Sequence, residues 1–251
     1  MNLSVVIIAK NEASNIEDCL KSVDFADERI VLDGGSTDNT AELASSMGAK
    51  VFNASQWHGF GHQKNLALTH ASGQWVLSLD ADERVTPALQ LEILDAIQHS
   101  PNTVFEIPRQ TNFCGKWIHH CGWTPDFVAR LFQNGQARFS LDQVHEKLVY
   151  SSLPVQKLTQ PLLHFSYPTT AHYWKKLQTY SDAWALQQYQ AGRTTTMTRA
   201  VLSAMTAFIK SYFVRLGFLD GAMGFAVCFM QAQAAFGKYF SLYCLNQSKH
   251  D

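Results

Sequence analysis

The sequence predicts an α/β protein with a wound mixed sheet followed by a C-terminal helical appendage, and three observations carry this expectation. Residues 3–9 form an almost wholly apolar, β-branched run, as a parallel strand buried on both faces requires. Strand and helix patterns then alternate twice within about 45 residues, the signature of a wound sheet. From Thr170 onward the pattern is helical.

Taken in order, the first strand is followed by a turn over residues 11–15 and a helical stripe of Ile16, Cys19, Leu20 and Val23. A second strand over residues 29–32 ends on Asp33. Gly34 and Gly35 then permit a tight turn, and residues 36–38 can cap a helix carrying Ala41, Leu43, Ala44 and Met47. Residues 50–52 form a short third strand, and a loop with Trp57, Gly59 and Gly61 leads to a helix over residues 65–71. Gly73 breaks that helix before a fourth strand at residues 75–79. Pro87 suits the first turn of the next helix, and residues 104–107 are extended. Residues 108–161 are less regular, with strands expected at 127–132 and near 147–150; by position they suit the acceptor side of a site. The chain is expected to divide into an α/β domain over 1–168, which would carry the site, and a helical region over 169–251.

With 251 residues, 46% of them hydrophobic and 16% charged, the chain is apolar and charge-poor for a soluble protein. Its net charge of -1 gives no case for nucleic-acid binding. The distribution is uneven. Residues 1–192 carry 14 Lys and Arg against 19 Asp and Glu, whereas residues 193–251 carry six against two. Five scattered cysteines form no Cys-x-x-Cys pair, which suggests neither a zinc site nor a disulfide framework and fits a reducing cytoplasm. The first apolar run is too short for a signal peptide core, and no uninterrupted apolar run reaches the about 18 residues of a membrane span.

Chemistry concentrates where strands end. The fourth strand delivers Asp80, Asp82 and Glu83 within four positions. Two carboxylates two apart on an extended segment share a side, repel, and are relieved by a hard divalent cation. The first strand ends on Lys10, Asn11 and Glu12, and the second on Asp33, so three acidic or polar termini fall along the ligand-binding edge of a wound sheet. A base and ribose need acceptors for their N–H and O–H groups. Carboxylates hold a diphosphate only through a cation such as Mg²⁺ or Mn²⁺. Helix capping is the competing account of Glu12 and Asp33 taken singly. No G-x-x-x-x-G-K-[ST] loop is present, and Gly59-Phe60-Gly61 lacks the rest of a dinucleotide fingerprint, which argues against a P-loop nucleotidase and a dehydrogenase.

The segments Ser4-Val5-Val6-Ile7-Ile8-Ala9-Lys10-Asn11-Glu12, Val31-Leu32-Asp33-Gly34-Gly35-Ser36-Thr37-Asp38-Asn39-Thr40 and Leu79-Asp80-Ala81-Asp82-Glu83 closely resemble family 2 glycosyltransferases of the GT-A fold. Residues 126–132, Val144-His145-Glu146 and His164-Phe165-Ser166-Tyr167 further resemble the subgroup that builds lipopolysaccharide inner core, including core β-1,4-glucosyltransferases. The resemblance implies an inverting transferase in which Ala9, Glu12 and Asp33 hold the nucleoside, Asp80 faces the ribose, Asp82 binds the metal and Lys64 lies near the donor. Lys64 reads equally well as a solvated lysine at a helix start. A late histidine, His164, is a further candidate ligand to metal or diphosphate, against the reading of a satisfied core histidine. The implied donor is UDP-glucose, and the implied acceptor is a lipopolysaccharide core or other lipid-linked saccharide.

The chemistry also needs a base for the acceptor hydroxyl. Relatives place it in an acidic pair ahead of an arginine, but Thr124-Pro125-Asp126-Phe127-Val128-Ala129-Arg130 has no such pair. Glu146 is the first candidate and Asp126 the second, with an ion pair to Lys147 or Arg138 the competing role for Glu146. In the tail, Val201, Leu202, Met205, Phe208, Ile209, Tyr212, Phe213 and Leu216 share one helical face, and a second helix covers residues 219–245. This basic, apolar region predicts peripheral docking on an anionic membrane face, with packing on the rest of the chain as the alternative. Two rivals to a transferase are a sugar nucleotidyltransferase, which would show a glycine-rich N-terminal loop with an arginine, and a non-catalytic sugar-nucleotide-binding scaffold at the membrane.

Overall fold

A computed structural model describes residues 2–54, 56–141 and 146–247. Val144 and His145 of the motif above lie outside the described residues. The chain forms two compact units, one of residues 1–109 with 126–164 and the other of residues 110–125 with 165–251.

The first unit opens with the expected alternation: β1 (Leu3–Ala9), α1 (Ile16–Lys21), β2 (Glu28–Asp33), α2 (Thr40–Ser46), β3 (Lys50–Asn53), α3 (Phe60–Leu68) and β4 (Trp75–Asp80). These four strands are parallel in the order β3-β2-β1-β4. The chain therefore winds outward from β1 to β3 and returns to β1's other side at β4, which creates a topological switch point at β1. All seven β1 residues are buried. Val5, Ile7 and Ala9 pack with Ile16, Leu20, Leu89 and Ile93, whereas Val6 and Ile8 pack with Ala67, Phe132 and Phe139. The period-two alternation of a strand thus feeds two cores, one on each sheet face.

The chain continues through β5 (Glu83–Val85), α4 (Pro87–His99), β6 (Val104–Phe113), β7 (Lys116–Trp117), β8 (Asp126–Gln133), β9 (Ala137–Phe139), β10 (Leu148–Tyr150), β11 (Val155–Lys157) and β12 (Leu162–Tyr167). Pro87 occupies the first turn of α4 as expected, with the Thr86 hydroxyl accepting from Leu89 N at 3.1 Å. β8 is antiparallel to β4, and β6 is antiparallel to β8, so the sheet is mixed. β5 pairs antiparallel with β12, placing His164 opposite Glu83.

Two differences from the expectation have local causes. α3 begins at Phe60 rather than near residue 65, because Gly59, at φ 101°, turns the chain directly into it. β12 forms across the His164 motif because β5 is there to pair with it.

In the second unit, α5 (Thr170–Gln190), α6 (Met197–Ile209) and α7 (Gly221–Gln247) accompany residues 110–125. Phe113, Ile118 and Cys121 share an apolar core with Tyr173, Val227, Cys228 and Met230. Asp220 accepts from His120 N at 2.8 Å and pairs with His120 Nδ1 at 2.9 Å. A π-turn at Lys210–Val214 ends α6, Leu216 takes the left-handed conformation at φ 55°, and a 3-10 turn at Gly217–Asp220 enters α7. No single described helix is long and apolar enough to cross a membrane.

Candidate active site

The parallel register sets Ala9 opposite Asp33 and Ile8 opposite Asp80, so β1, β2 and β4 end side by side. Asp33 is buried and accepts from Gly35 N at 3.1 Å and Ser36 N at 3.0 Å, while Ala9 O accepts from Gly34 N at 2.8 Å. Trp57 lies against Gly34, where a Cβ would fall 2.8 Å from the indole, and Lys10 Nζ sits 5.8 Å from the Trp57 ring centroid. A side chain at position 34 would displace Trp57 from the strand ends.

Glu12 follows β1. Its N–H donates to the Thr40 hydroxyl at 2.8 Å, and its carboxylate accepts from Asn15 Nδ2 at 2.8 Å. Burial raises its pKa, with the charges of Asp82 and Asp38 adding to the rise against Asn15 and Arg84. Glu12 and Asp82 therefore belong to one electrostatic neighbourhood, although 70 residues separate them by count.

A network of buried charges surrounds Asp80. Lys64 Nζ pairs with Asp80 Oδ1 and with Glu146 Oε1, both at 2.9 Å. Arg130 bridges the other Asp80 oxygen at 2.5 Å and Glu83 Oε1 at 2.7 Å. Glu83 is fully buried, and its second oxygen accepts from Asp80 N at 2.9 Å. Burial alone would raise the Asp80 pKa, but Arg130 and Lys64 together hold it well below the usual carboxylate range. Lys64 is thus no solvated lysine: it is 4% exposed and ties α3 to β4 and to the segment before β10. Among the described ion pairs, the cation that Glu146 meets is Lys64, not Lys147 or Arg138.

The same network reaches Asp126. Arg109 Nε donates to Asp126 at 3.0 Å, and Arg109 Nη1 lies 3.5 Å from Glu83. Both base candidates are consequently ion-paired carboxylates, Glu146 to a buried lysine and Asp126 to a half-buried arginine.

Asp82 lies 3.3 Å from His164 Nε2. Among the described residues no cluster of three or more His, Cys, Asp or Glu could hold a metal by itself. One carboxylate and one imidazole could supply two ligands, a donor set that fits a small hard cation whose other ligands are oxygens. Arg84 donates to Ala81 O at 2.8 Å, Glu83 O at 2.9 Å and Asn15 O at 2.8 Å, and so fixes the loop that carries Asp82.

Sequence reasoning named Glu83 as the third carboxylate of the strand-end cluster and Arg130 as the arginine after the missing acidic pair but gave neither a role, and it did not single out Arg84. Arg130 carries the clearest signal, a cation within the apolar β8 run, because buried arginine requires a carboxylate partner.

The family description "Glycosyl transferase family 2" matches residues 4–149, which include every candidate residue above except His164. The chain belongs to glycosyl transferase family 2. As a family 2 glycosyltransferase it is 29% identical over 255 residues to the lipopolysaccharide core biosynthesis glycosyltransferase LpsC of Rhizobium meliloti, covering 94% of this chain and 93% of the relative. It is 30% identical over 254 residues to an uncharacterized glycosyltransferase of Rickettsia bellii, covering 93% and 83%. The fold is similar to that of S. aureus TarS residues 1–349 in complex with UDP, with a TM-score of 0.51 and 14% identity over 100% of this chain and 91% of TarS. This glycosyltransferase therefore has the GT-A architecture expected from its strand-end motifs.

Proposed function

We propose that this glycosyltransferase moves glucose from UDP-glucose, with inversion, to a hydroxyl of a lipopolysaccharide core or similar lipid-linked saccharide at the cytoplasmic face of the inner membrane. The observation that carries this reading is the alignment of Ala9, Asp33 and Asp80 at adjacent strand ends, with Asp82 and His164 beside them. Similarity to LpsC supports the acceptor class.

Residues 1–168 supply the catalytic work in this reading, and residues 169–251 the membrane-facing region. Ala9, Glu12 and Asp33 hold the nucleoside. Asp80 faces the ribose, kept ionised and oriented by Lys64 and Arg130. Asp82 and His164 would hold Mg²⁺ or Mn²⁺, which when bound would supply positive charge for the leaving diphosphate. Lys64 stands near that charge from the protein side.

The acceptor oxygen forms a bond to the anomeric carbon while the carbon–diphosphate oxygen bond breaks on the opposite face, through an oxocarbenium-like transition state. The acceptor proton passes to a carboxylate. Glu146 is the base in this reading and Asp126 the alternative. Lys64 pairs with Glu146 at 2.9 Å and so orients the carboxylate that takes the proton in this reading.

The test is a panel of nucleotide sugars and core saccharide acceptors, with and without Mn²⁺. Transfer from UDP-glucose that needs the cation is the expected result; transfer from another donor in preference to UDP-glucose overturns the donor assignment. Glu146→Gln should retain donor binding and lose about 10²–10⁴-fold in turnover, the usual contribution of a general base. Near-normal turnover in Glu146→Gln together with loss in Asp126→Asn moves the base to Asp126.

A further inference from the structure

The second unit has a surface with two kinds of exposed chemistry side by side. On α6, Val201, Met205 and Ile209 are exposed, and the turn that follows exposes Phe213, Val214 and Leu219, with Val214 at 69% and Leu219 at 57%. These are values of solvent-facing polar side chains, here on large apolar ones. Beside that face, Arg199, Ser203, Thr206 and Lys210 recur at helical spacing along α6. They border a cleft of about 750 Å³ whose far wall is Ala235 and Tyr239 of α7 and whose end is formed by Thr194, Thr195 and Thr196.

The cleft is built for an anion. Arg199 is steadied by Tyr239, its guanidinium 5.5 Å from the ring centroid, and among the described residues neither Arg199 nor Lys210 makes an ion pair. The Thr195 hydroxyl is buried without a hydrogen-bond partner. The sole described acid after residue 193 is Asp220, which is buried against His120 and leaves the cations uncompensated. Arg199 and Lys210 are 11 residues apart, about 16 Å along a helix, so they address two separate phosphates.

We propose that α6 and the turn after it dock on an anionic phospholipid leaflet, with a headgroup phosphate in the cleft at Arg199, a second at Lys210, and the exposed apolar face entering the acyl boundary. An apolar stripe alongside a cationic and hydroxyl stripe matches the layering of a leaflet, where an interfacial helix buries one face and keeps its cations at headgroup level. Helices α6 and α7, taken with the turn between them, are apolar enough together to enter a membrane but are bent by 73°, which suits lying in the interface rather than crossing it. A second copy of the chain would set like charges against each other. The docking deepens the lipid-linked acceptor reading and rests on it for its purpose, while the binding itself is measurable without donor or acceptor.

The test is co-sedimentation of the full chain with phosphatidylcholine vesicles containing or lacking phosphatidylglycerol. Binding should require the anionic lipid. Arg199→Glu with Lys210→Glu should weaken it by at least about tenfold, and Val214→Ser with Leu219→Ser should weaken it while leaving the circular dichroism spectrum unchanged. Indifference to anionic vesicles at low ionic strength overturns the proposal. Thermal stabilisation by inorganic phosphate that depends on Arg199, without vesicle binding, also overturns it and leaves a soluble phosphate site. A dimer abolished by Val214→Ser, again without vesicle binding, assigns the face to a second copy. Intact vesicle binding with no transfer to any lipid-linked acceptor fails the proposed function and leaves the docking standing.

Discussion

At the scale of single residues, the site depends on a balance of buried charge around Arg130. Its guanidinium is the cation shared by Asp80 and the fully buried Glu83. Removing one partner of a buried pair leaves an uncompensated charge, at about 3–5 kcal/mol. Arg130→Met should therefore lower the free energy of urea unfolding by that amount and also weaken donor binding through a displaced Asp80. Arg109→Met is the comparison, because the Asp126 side chain is 44% exposed and water can replace its partner. Arg109 also lies 3.5 Å from Glu83, against 2.7 Å for Arg130, so equal losses in the two variants would show that Glu83 depends no more on Arg130 than on Arg109. The roles of Asp80 and Asp82 could be distinguished in the sequence only through the family resemblance. Their different surroundings follow from Lys64 and Arg130, which lie 16 residues before and 50 after Asp80 and carry no local mark of that association.

At the scale of elements, the site depends on how closely α3 approaches the segment after β9. A Cβ on Gly61 would lie 1.9 Å from Ser140 O, a backbone atom that cannot rotate away. Asn65 of the same helix clamps Phe139 from both sides, its amide donating to Phe139 O and accepting from Phe139 N, each at 2.8 Å. Gly61→Ala should push α3 outward at about 1–3 kcal/mol. Lys64, one turn further on, would lose its register with Asp80 and Glu146, so donor affinity should fall beyond what the stability loss explains. Calorimetric titration with UDP against a urea midpoint separates the two effects; unchanged affinity in a destabilised variant would show that Lys64 is positioned independently of this contact. The parallel strands were legible because burial on both faces writes continuous apolar runs. The α3 start was not, since Phe60, Gly61, His62 and Gln63 have no apolar period and the helix is set by its contact with Ser140. Likewise β12 shows no alternation, because pairing with β5 rather than a buried face defines it.

At the scale of the whole molecule, the chain's stability is tied to pH through carboxylates that both units hold ionised. The sequence division at residue 168 reflects where strands give way to helices, but residues 110–125 share their core with α5 and α7, a long-range association with no compositional sign. Glu28, at the start of β2, is buried; although that burial opposes ionisation, Lys50, Ser4 and Ser72 bring its pKa down to about 2. Asp80 and Asp220 are also lowered, the latter by His120 against its own burial, whereas Glu12 is raised by burial. A lowered carboxylate contributes stability that is present above its unfolded value and lost as pH falls towards its folded value, and a raised one acts in the opposite sense. With Asp27 and Asp38 lowered as well by hydrogen bonds from their neighbours, five described carboxylates are lowered against one raised, which predicts net acid destabilisation, beginning below about pH 4.5 for Glu28. Glu28→Gln tests this apart from catalysis, because Glu28 pairs with Ser4 at the opposite strand ends from the site. At pH 7 the variant should be less stable by on the order of 2–3 kcal/mol, with UDP affinity unchanged. As pH falls from 5 towards 3, the protonating wild-type carboxyl loses the same advantage, so the two urea midpoints should converge. A gap that stays constant over that range would mean that the Glu28 charge makes no contribution and that the acid lability lies with the other lowered carboxylates.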